Sequence, residues 1–299
     1  VTLVLPADAG ALLERLTVDP AARAEALAAR PDPVAHPVLW AELERRYDEQ
    51  LDAMGRGVPI DGWAGWPLIP ADAGVVGRHL YVWLYLALVP HVRAFHAERG
   101  ILDDVSWTAL AELGDSLRSH LRLFGEHGVG GFSQWSLPLR FRGAEYALGR
   151  LAYNRVAIAL ANGQCGFALN VHIPASGPLD PTACDDSIER ALEFAARHFP
   201  EEPLAFLTCS SWLMDPQLAE YLPETSNIVA FQRRFQLVPH LPKADETRDD
   251  RDVLEYVFGR MDPVPLEKLP RDTTLRRAYV THLRAGRHWK SRTGYQALT

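Results

Sequence analysis

The stretch 166-GFALNVHIPASGPLDPTACDDSIERALEFAARHFPEEPLAFLTCSSW-212 decides the fold. Gly166–Ile173 has the small and apolar make-up of a buried strand, and Pro174 and Gly177 stop it. Asp180 followed by Pro181 is a helix cap with a first-turn proline, which predicts a helix reaching His198. A second apolar run, Leu204–Trp212, then reads as another strand. A crossover of this length between two strands normally places them parallel in one sheet.

Working outward, Trp135–Phe141 and Tyr146–Ala159 read as extended, and Asn162-Gly163 supplies a turn of the kind that joins antiparallel strands. On the other side, Asp215-Pro216 repeats the cap for a short helix through Leu222, and Asn227–Val238 is a final strand. The first part of the chain has a helical period instead. Val105, Leu110, Leu113, Leu117, Leu121 and Phe124 keep to one stripe behind a cap at Asp103 or Asp104, with Gly128 as the stop. Helices are also expected over Ala21–Ala29, Val38–Met54 and Asp72–Gly100, the last broken or bent at Pro90. The period ends in His127-Gly-Val-Gly-Gly-Phe132, so we divide the chain into a helical domain, 1–130, and a mixed-sheet domain, 131–299. The fold class is α+β.

Composition narrows the function. The 299 residues carry a net charge of −7, which argues against a general nucleic-acid binder, since that needs a basic face to displace counterions. Cys165, Cys184 and Cys209 are far apart and form neither a metal-ligand pair nor a disulfide framework, so no metal is expected and a reducing cytoplasm is the default. There is no signal-peptide pattern. The apolar run Leu80–Val89 is too short to span a bilayer and reads as a buried helix.

Three runs, 145-EYALGRLAYNR-155, 170-NVHIPASGPLDPTACDDSIERA-191 and 210-SSWLMDPQLAEYLPETSNIVAFQRRF-235, resemble the two-domain GNAT-like N-acyltransferases of bacterial secondary metabolism. That group includes enzymes that attach fatty acyl chains to the amino sugar of teicoplanin-type glycopeptides. The resemblance covers Trp135 to Val238 well, the C-terminal segment fairly and the helical part loosely. It implies a GNAT-like core and transfer of an acyl group, medium or long, from an acyl thioester donor to the amine of a small acceptor such as an antibiotic's amino sugar. The donor is acyl-CoA or an acyl-carrier protein. One departure stands out. Where the superfamily carries Gln/Arg-x-x-Gly-x-Gly/Ala around the pyrophosphate, this chain has His172-Ile-Pro-Ala-Ser-Gly-Pro-Leu179, with Ser176 and Gly177 in the donor-binding position and an acidic cap at Asp180 that competes with phosphate. The partial match Arg140-Phe-Arg-Gly143-Ala-Glu145 ends in Glu and is treated as coincidence.

Acyl transfer to an amine needs a base, donors facing the thioester oxygen and an acid for the leaving thiolate. His172 is the candidate base, because it ends a strand before a proline where GNAT-like folds splay two parallel strands. A structural histidine is the competing reading. Backbone N–H groups near Val171 and Ile173 are the candidate oxyanion donors. Tyr221, on the short helix where such folds often carry a tyrosine, and Ser210, closing the opposite strand, are the candidate acids; ring packing and an ordinary strand end are their alternatives. Cys209 invites a covalent intermediate but is discounted as a buried, inert thiol. Trp63, Trp66, Trp83, Trp107 and Trp135 line an acyl channel or simply fill a core. The run Arg276–Arg292, basic and free of acidic residues, is a carrier-phosphate site or a solvated face. A non-catalytic acyl-thioester-binding protein is the alternative function. A hydrolase ranks last for want of a nucleophile motif.

Overall fold

The computed structural model describes residues 2–59, 62–131, 134–159, 163, 165–239 and 247–298. The chain forms two compact units, one of Val1–Ala147 with Asn154–Ile158, the other of Leu148–Tyr153 with Ala159–Thr299.

The first unit is built from helices α1 (Ala9–Arg15), α2 (Pro20–Ala28), α3 (Pro37–Asp52), α4 (Gly74–Glu98), α5 (Asp103–Leu110), α6 (Glu112–Phe124) and α7 (Ser136–Arg140). Helix α4 is its axis, buried continuously from His79 to Val89 and again at Val92 and His96. Pro90 does not break it. A proline inside a helix costs about 3 kcal/mol, whereas each large apolar side chain fully buried returns roughly 1.5–3 kcal/mol, and α4 buries Leu80, Val82, Leu84, Leu86, Leu88 and Val89. Packing therefore decides. The segment Ala71–Glu98 is long and apolar enough to cross a bilayer by length and composition, but 67% of its apolar window is buried, as in a core helix.

Two expectations for this unit need correction. The stripe from Val105 to Phe124 is divided between α5 and α6, which meet at Ala111, and α6 stops at Gly125 in the left-handed region (φ 73°) instead of at Gly128. Gly128 has another role: a Cβ there would sit 2.8 Å from the Arg78 carbonyl oxygen, which accepts from the Val129 and Gly130 amides. Trp135–Phe141 is not extended. Ser136–Arg140 forms α7 with Pro138 inside it, and the buried Arg140 guanidinium bonds Glu145 at 2.8 Å and Ser136 at 3.4 Å.

Strands β1 (Glu145–Ala147), β2 (Ala152–Ala159), β3 (Cys165–His172), β4 (Leu204–Ser211), β5 (Gln236–Leu237) and β6 (Arg292–Ala297) form one sheet in the order β1-β2-β3-β4-β6-β5. The run Tyr146–Ala159, expected as one strand, is broken by a turn at Gly149 (φ 91°). Asn162 lies outside the described residues, while Gly163 has φ 78°.

The second unit carries the crossover. β3 and β4 are parallel neighbours, Phe167 facing Leu204 and Asn170 facing Thr208, joined by α8 (Pro181–His198), whose cap is the Asp180 carboxylate accepting from the Ala183 amide at 3.0 Å. Leu169, Val171, Leu207 and Cys209 point to one face and share a core with Ala191 and Ala195 of α8 and with Phe231 and Phe235. Asn227–Val238 is a correction. Ser226 caps a helix, α9 (Asn227–Gln232), by accepting from the Ile228 amide, and only Gln236–Leu237 is strand. Helices α10 (Arg248–Phe258) and α11 (Thr274–Arg284) pack into a separate cluster with Trp212, Leu218 and Trp289.

The last strand, β6, has no counterpart in the sequence reading. It runs antiparallel to β4, pairing Phe206 with Ala297 through Ser211 with Arg292, and lies between β4 and β5. Gly294 lets it approach, since a Cβ there would stand 2.7 Å from the Phe235 Cβ.

Candidate active site

The pairing of β3 with β4 ends, among the described residues, at Asn170 and Thr208, although β3 continues to His172 and β4 to Ser211. Beyond Thr208, the described pairing of β4 is on its other side, with β6. The chain therefore builds two parallel strand ends that part toward His172 and Ser210. Pro174 is the local reason, because it cannot donate to a ladder and carries the chain away from the sheet.

Alternation fixes which side chains face that opening. Val171 and Cys209 turn into the core, so Asn170 and His172 on β3, and Thr208 and Ser210 on β4, share the other face. Thr208 Oγ1 donates to Asn170 Oδ1 at 3.3 Å, and Asn170 Nδ2 lies 3.3 Å from His172 Nε2. The Ser210 and Thr293 hydroxyls are 2.7 Å apart. The same face continues to Tyr295, whose hydroxyl donates to Gln236 Oε1 at 2.8 Å and whose ring meets Phe206 edge-on. A strip of hydroxyl, amide and imidazole groups thus crosses the sheet from His172 to Gln236. The sequence reading misses Asn170, Thr208 and Thr293. Two of them carry a signal: a polar residue two places before His172, and another two places before Ser210, in otherwise apolar strands.

The loop after β3 is held from outside the motif. Arg150 donates to three of its carbonyls, Pro178 at 2.8 Å, Pro174 at 3.1 Å and Gly177 at 2.7 Å. Ser176 and Gly177 are exposed on it, and Gly177 adopts φ 98°. Beside it, Arg234 bonds Asp185 at 2.6 Å and the Pro181 carbonyl at 3.1 Å. Two guanidinium groups therefore flank the start of α8, where the acidic cap Asp180 already occupies the helix N-terminus.

Tyr221 stands apart from this face. Its hydroxyl lies 3.0 Å from His282 Nδ1, and its ring packs against His282 and Trp289. Burial holds the His282 imidazole below its ordinary range, and the pair lies inside the α10–α11 cluster. The structure brings His172 together with Asn170 and Thr208, and Ser210 with Thr293; it does not bring Tyr221 to either group. Cys209 is fully buried and burial pushes its thiol up to about 12, which leaves almost no thiolate for a covalent route.

Other candidates resolve into packing. Trp66 and Trp83 are core residues, Trp83 donating to the Ala26 carbonyl at 2.9 Å. Trp107 lies under the guanidinium groups of Arg15 and Arg93, 4.1 and 4.6 Å from its ring centre. Trp63 and Trp135 are half-buried and donate to each other's carbonyls. In the basic run, Arg276 pairs with Asp272, Arg284 with Glu267 and Arg287 with Glu220, so the fold supplies the acidic partners that the run itself lacks. Arg140 and Arg142 are likewise engaged, Arg142 donating to the Gly57 carbonyl and stacking over Trp63. No group of three or more metal-ligating side chains occurs among the described residues.

Residues 7–143 match the family of N-acyltransferase N-terminal domains, and residues 146–296 match the GNAT-like C-terminal domains. The comparison with curated proteins gave no match. Among solved structures, an acyltransferase in complex with decanoyl-CoA and teicoplanin is 40% identical over 100% of this chain and 90% of its own, with a TM-score of 0.85. An acyltransferase in complex with CoA and 10C-teicoplanin gives the same four values. A mutant acyltransferase in complex with octanoyl-CoA is 39% identical over the same shares, with a TM-score of 0.86.

Proposed function

The chain belongs to the N-acyltransferases that combine an N-acyltransferase N-terminal domain with a GNAT-like C-terminal domain, and we propose that it moves a medium or long acyl group from acyl-CoA to the amino-sugar amine of a glycopeptide. The observation that carries this is the whole-chain likeness to acyltransferases holding acyl-CoA and teicoplanin. It also favours free acyl-CoA over a carrier protein as donor, and catalysis over mere thioester binding.

The chemistry is direct transfer. His172 takes a proton from the acceptor ammonium, and the amine nitrogen attacks the thioester carbon. The C–S bond breaks as the tetrahedral intermediate collapses, its surplus ammonium proton passing to the Ser210 hydroxyl as that hydroxyl gives its own proton to the leaving thiolate. The parting of β3 and β4 supports this position, since it opens the sheet beside a base and beside the backbone amide of Ile173, which is suited to hold the developing oxyanion. The Val171 amide instead faces the Thr208 carbonyl in the last rung of the ladder. Ser210 is the better supported acid for the leaving thiolate, because it lies on the face of His172 and shares a hydrogen bond with Thr293. The Tyr221 hydroxyl is already committed to His282. Ser176 and Gly177, on the loop fixed by Arg150, are the proposed contacts for the donor's pantetheine or phosphate groups.

Incubating the protein with decanoyl-CoA and a teicoplanin-type glycopeptide bearing a free amino sugar tests this. Release of the CoA thiol together with a product heavier by one decanoyl group is expected. Thiol release without acylated product, or no release with any acyl-CoA offered, would overturn it.

A further inference from the structure

The contacts around His172 form a chain with a direction. The Thr208 hydroxyl gives its proton to Asn170 Oδ1, which turns the amide nitrogen of Asn170 toward the imidazole, 3.3 Å from Nε2. An amide NH₂ only donates, so Nε2 must present its lone pair there, and the proton of the neutral ring belongs on Nδ1. The arrangement is pinned from both strands. Asn170 and Thr208 are the last residues in register between β3 and β4, so the relay sits at the point where the strands part. Both side chains lie on one face because the core takes Leu169, Val171, Leu207 and Cys209.

We infer that Thr208 and Asn170 are positioning residues that set the tautomer of His172, holding Nε2 as the nitrogen that receives the acceptor's proton. This rests on His172 being the base and adds which of its nitrogens acts and what orients it. A long amide hydrogen bond is suited to the task. It holds the lone pair in place, yet an incoming ammonium N–H, charged and therefore the stronger donor, displaces it at little cost. The proton passes from the ammonium to Nε2, and the Asn170 N–H gives up that position. Thr208 acts one residue further away: its hydroxyl favours one orientation of the amide. Without it, more of the ensemble would offer Oδ1 to the ring and draw the proton onto Nε2.

The test pairs two readouts. Nitrogen NMR of ¹⁵N-histidine-labelled protein, with His172 assigned by comparison with His172→Gln, reports the tautomer in the resting protein without turnover. Steady-state kinetics report kcat and KM separately. We expect the proton on Nδ1 in the parent protein and in Thr208→Ser, and a tautomer mixture in Thr208→Val and Asn170→Ala. These last two should lose about fivefold to tenfold in kcat, the worth of one neutral hydrogen bond, with KM for decanoyl-CoA unchanged. A parent protein with the proton on Nε2, or a Thr208→Val variant indistinguishable from Thr208→Ser, would overturn the relay. Full activity in His172→Gln would instead overturn the assignment of His172 as base, whatever the spectrum of the parent shows.

Discussion

The loop that leads into β6 is held by three carboxylates, and removing one of them has a calculable effect. The backbone amides of Trp289, Lys290 and Ser291 donate in turn to Asp250 at 2.8 Å, Asp215 at 2.8 Å and Asp249 at 2.9 Å. Asp215 is the most buried, 1% exposed, and also accepts from the Gln217 backbone and side-chain nitrogens, each at 3.0 Å. Three bonds to a charged acceptor at about 1.5–3 kcal/mol each would sum to roughly 4–9 kcal/mol. Burying the carboxylate costs several kcal/mol of that. Asp215→Ala relieves the burial cost as it breaks the bonds, so the net loss should be about 3 kcal/mol. At ~2–4 °C per kcal/mol for a domain of this size, the melting temperature should fall by about 6–12 °C. Calorimetry measures this, and amide hydrogen exchange at Trp289–Ser291 should lose protection at the same time. A fall below about 2 °C, with protection intact, would show that the clamp contributes little and that β6 is held by its pairing with β4 alone.

Two further outcomes follow from other parts of the molecule. His96 is buried against the Ser106 hydroxyl at 2.7 Å, and burial holds its imidazole down to about 4. In the unfolded chain a histidine takes up a proton below about 6.5. The unfolded state therefore binds more protons between those values, and stability should fall by about 3 kcal/mol as pH drops through the window. Burial lowers His79, His91, His120 and His282 in the same direction, so urea denaturation should show a shallower pH slope in His96→Gln than in the parent protein; an unchanged pH slope in the variant would refute the assignment. For the donor, each methylene buried adds up to about 0.8 kcal/mol, so decanoyl and octanoyl thioesters should outperform acetyl with one common amine. A preference for acetyl, or a flat response, would contradict a medium or long acyl donor.

The parts of the fold that are legible in the sequence are those where local chemistry and tertiary context agree. Pro174, Asp180 and Pro181 mark the crossover, and β3, α8 and β4 form at those punctuation marks. The errors come where context wins. Asn227–Gln232 is rich in β-formers, yet the Ser226 cap and burial of Val229 and Phe231 make it helical. Pro138 argues against a helix, but Arg140 and its buried partner Glu145 hold one turn around it. Strand β6 has no apolar alternation and is strand because β4 and β5 offer it partners on both sides. At the candidate site, His172 and Ser210 can be picked out by type and place. Asn170 and Thr208 show only as polar residues in apolar strands, and their contact depends on register; Arg150 carries no signal, because its loop is brought close from 24 or more positions away.

The most direct test of the account is the turnover of His172→Ala with decanoyl-CoA and the amine acceptor, measured beside its affinity for decanoyl-CoA. The account predicts a kcat lower by about 10²–10⁴-fold, the usual loss for a general base, with donor affinity nearly intact. An unchanged rate would contradict it and assign His172 to structure alone.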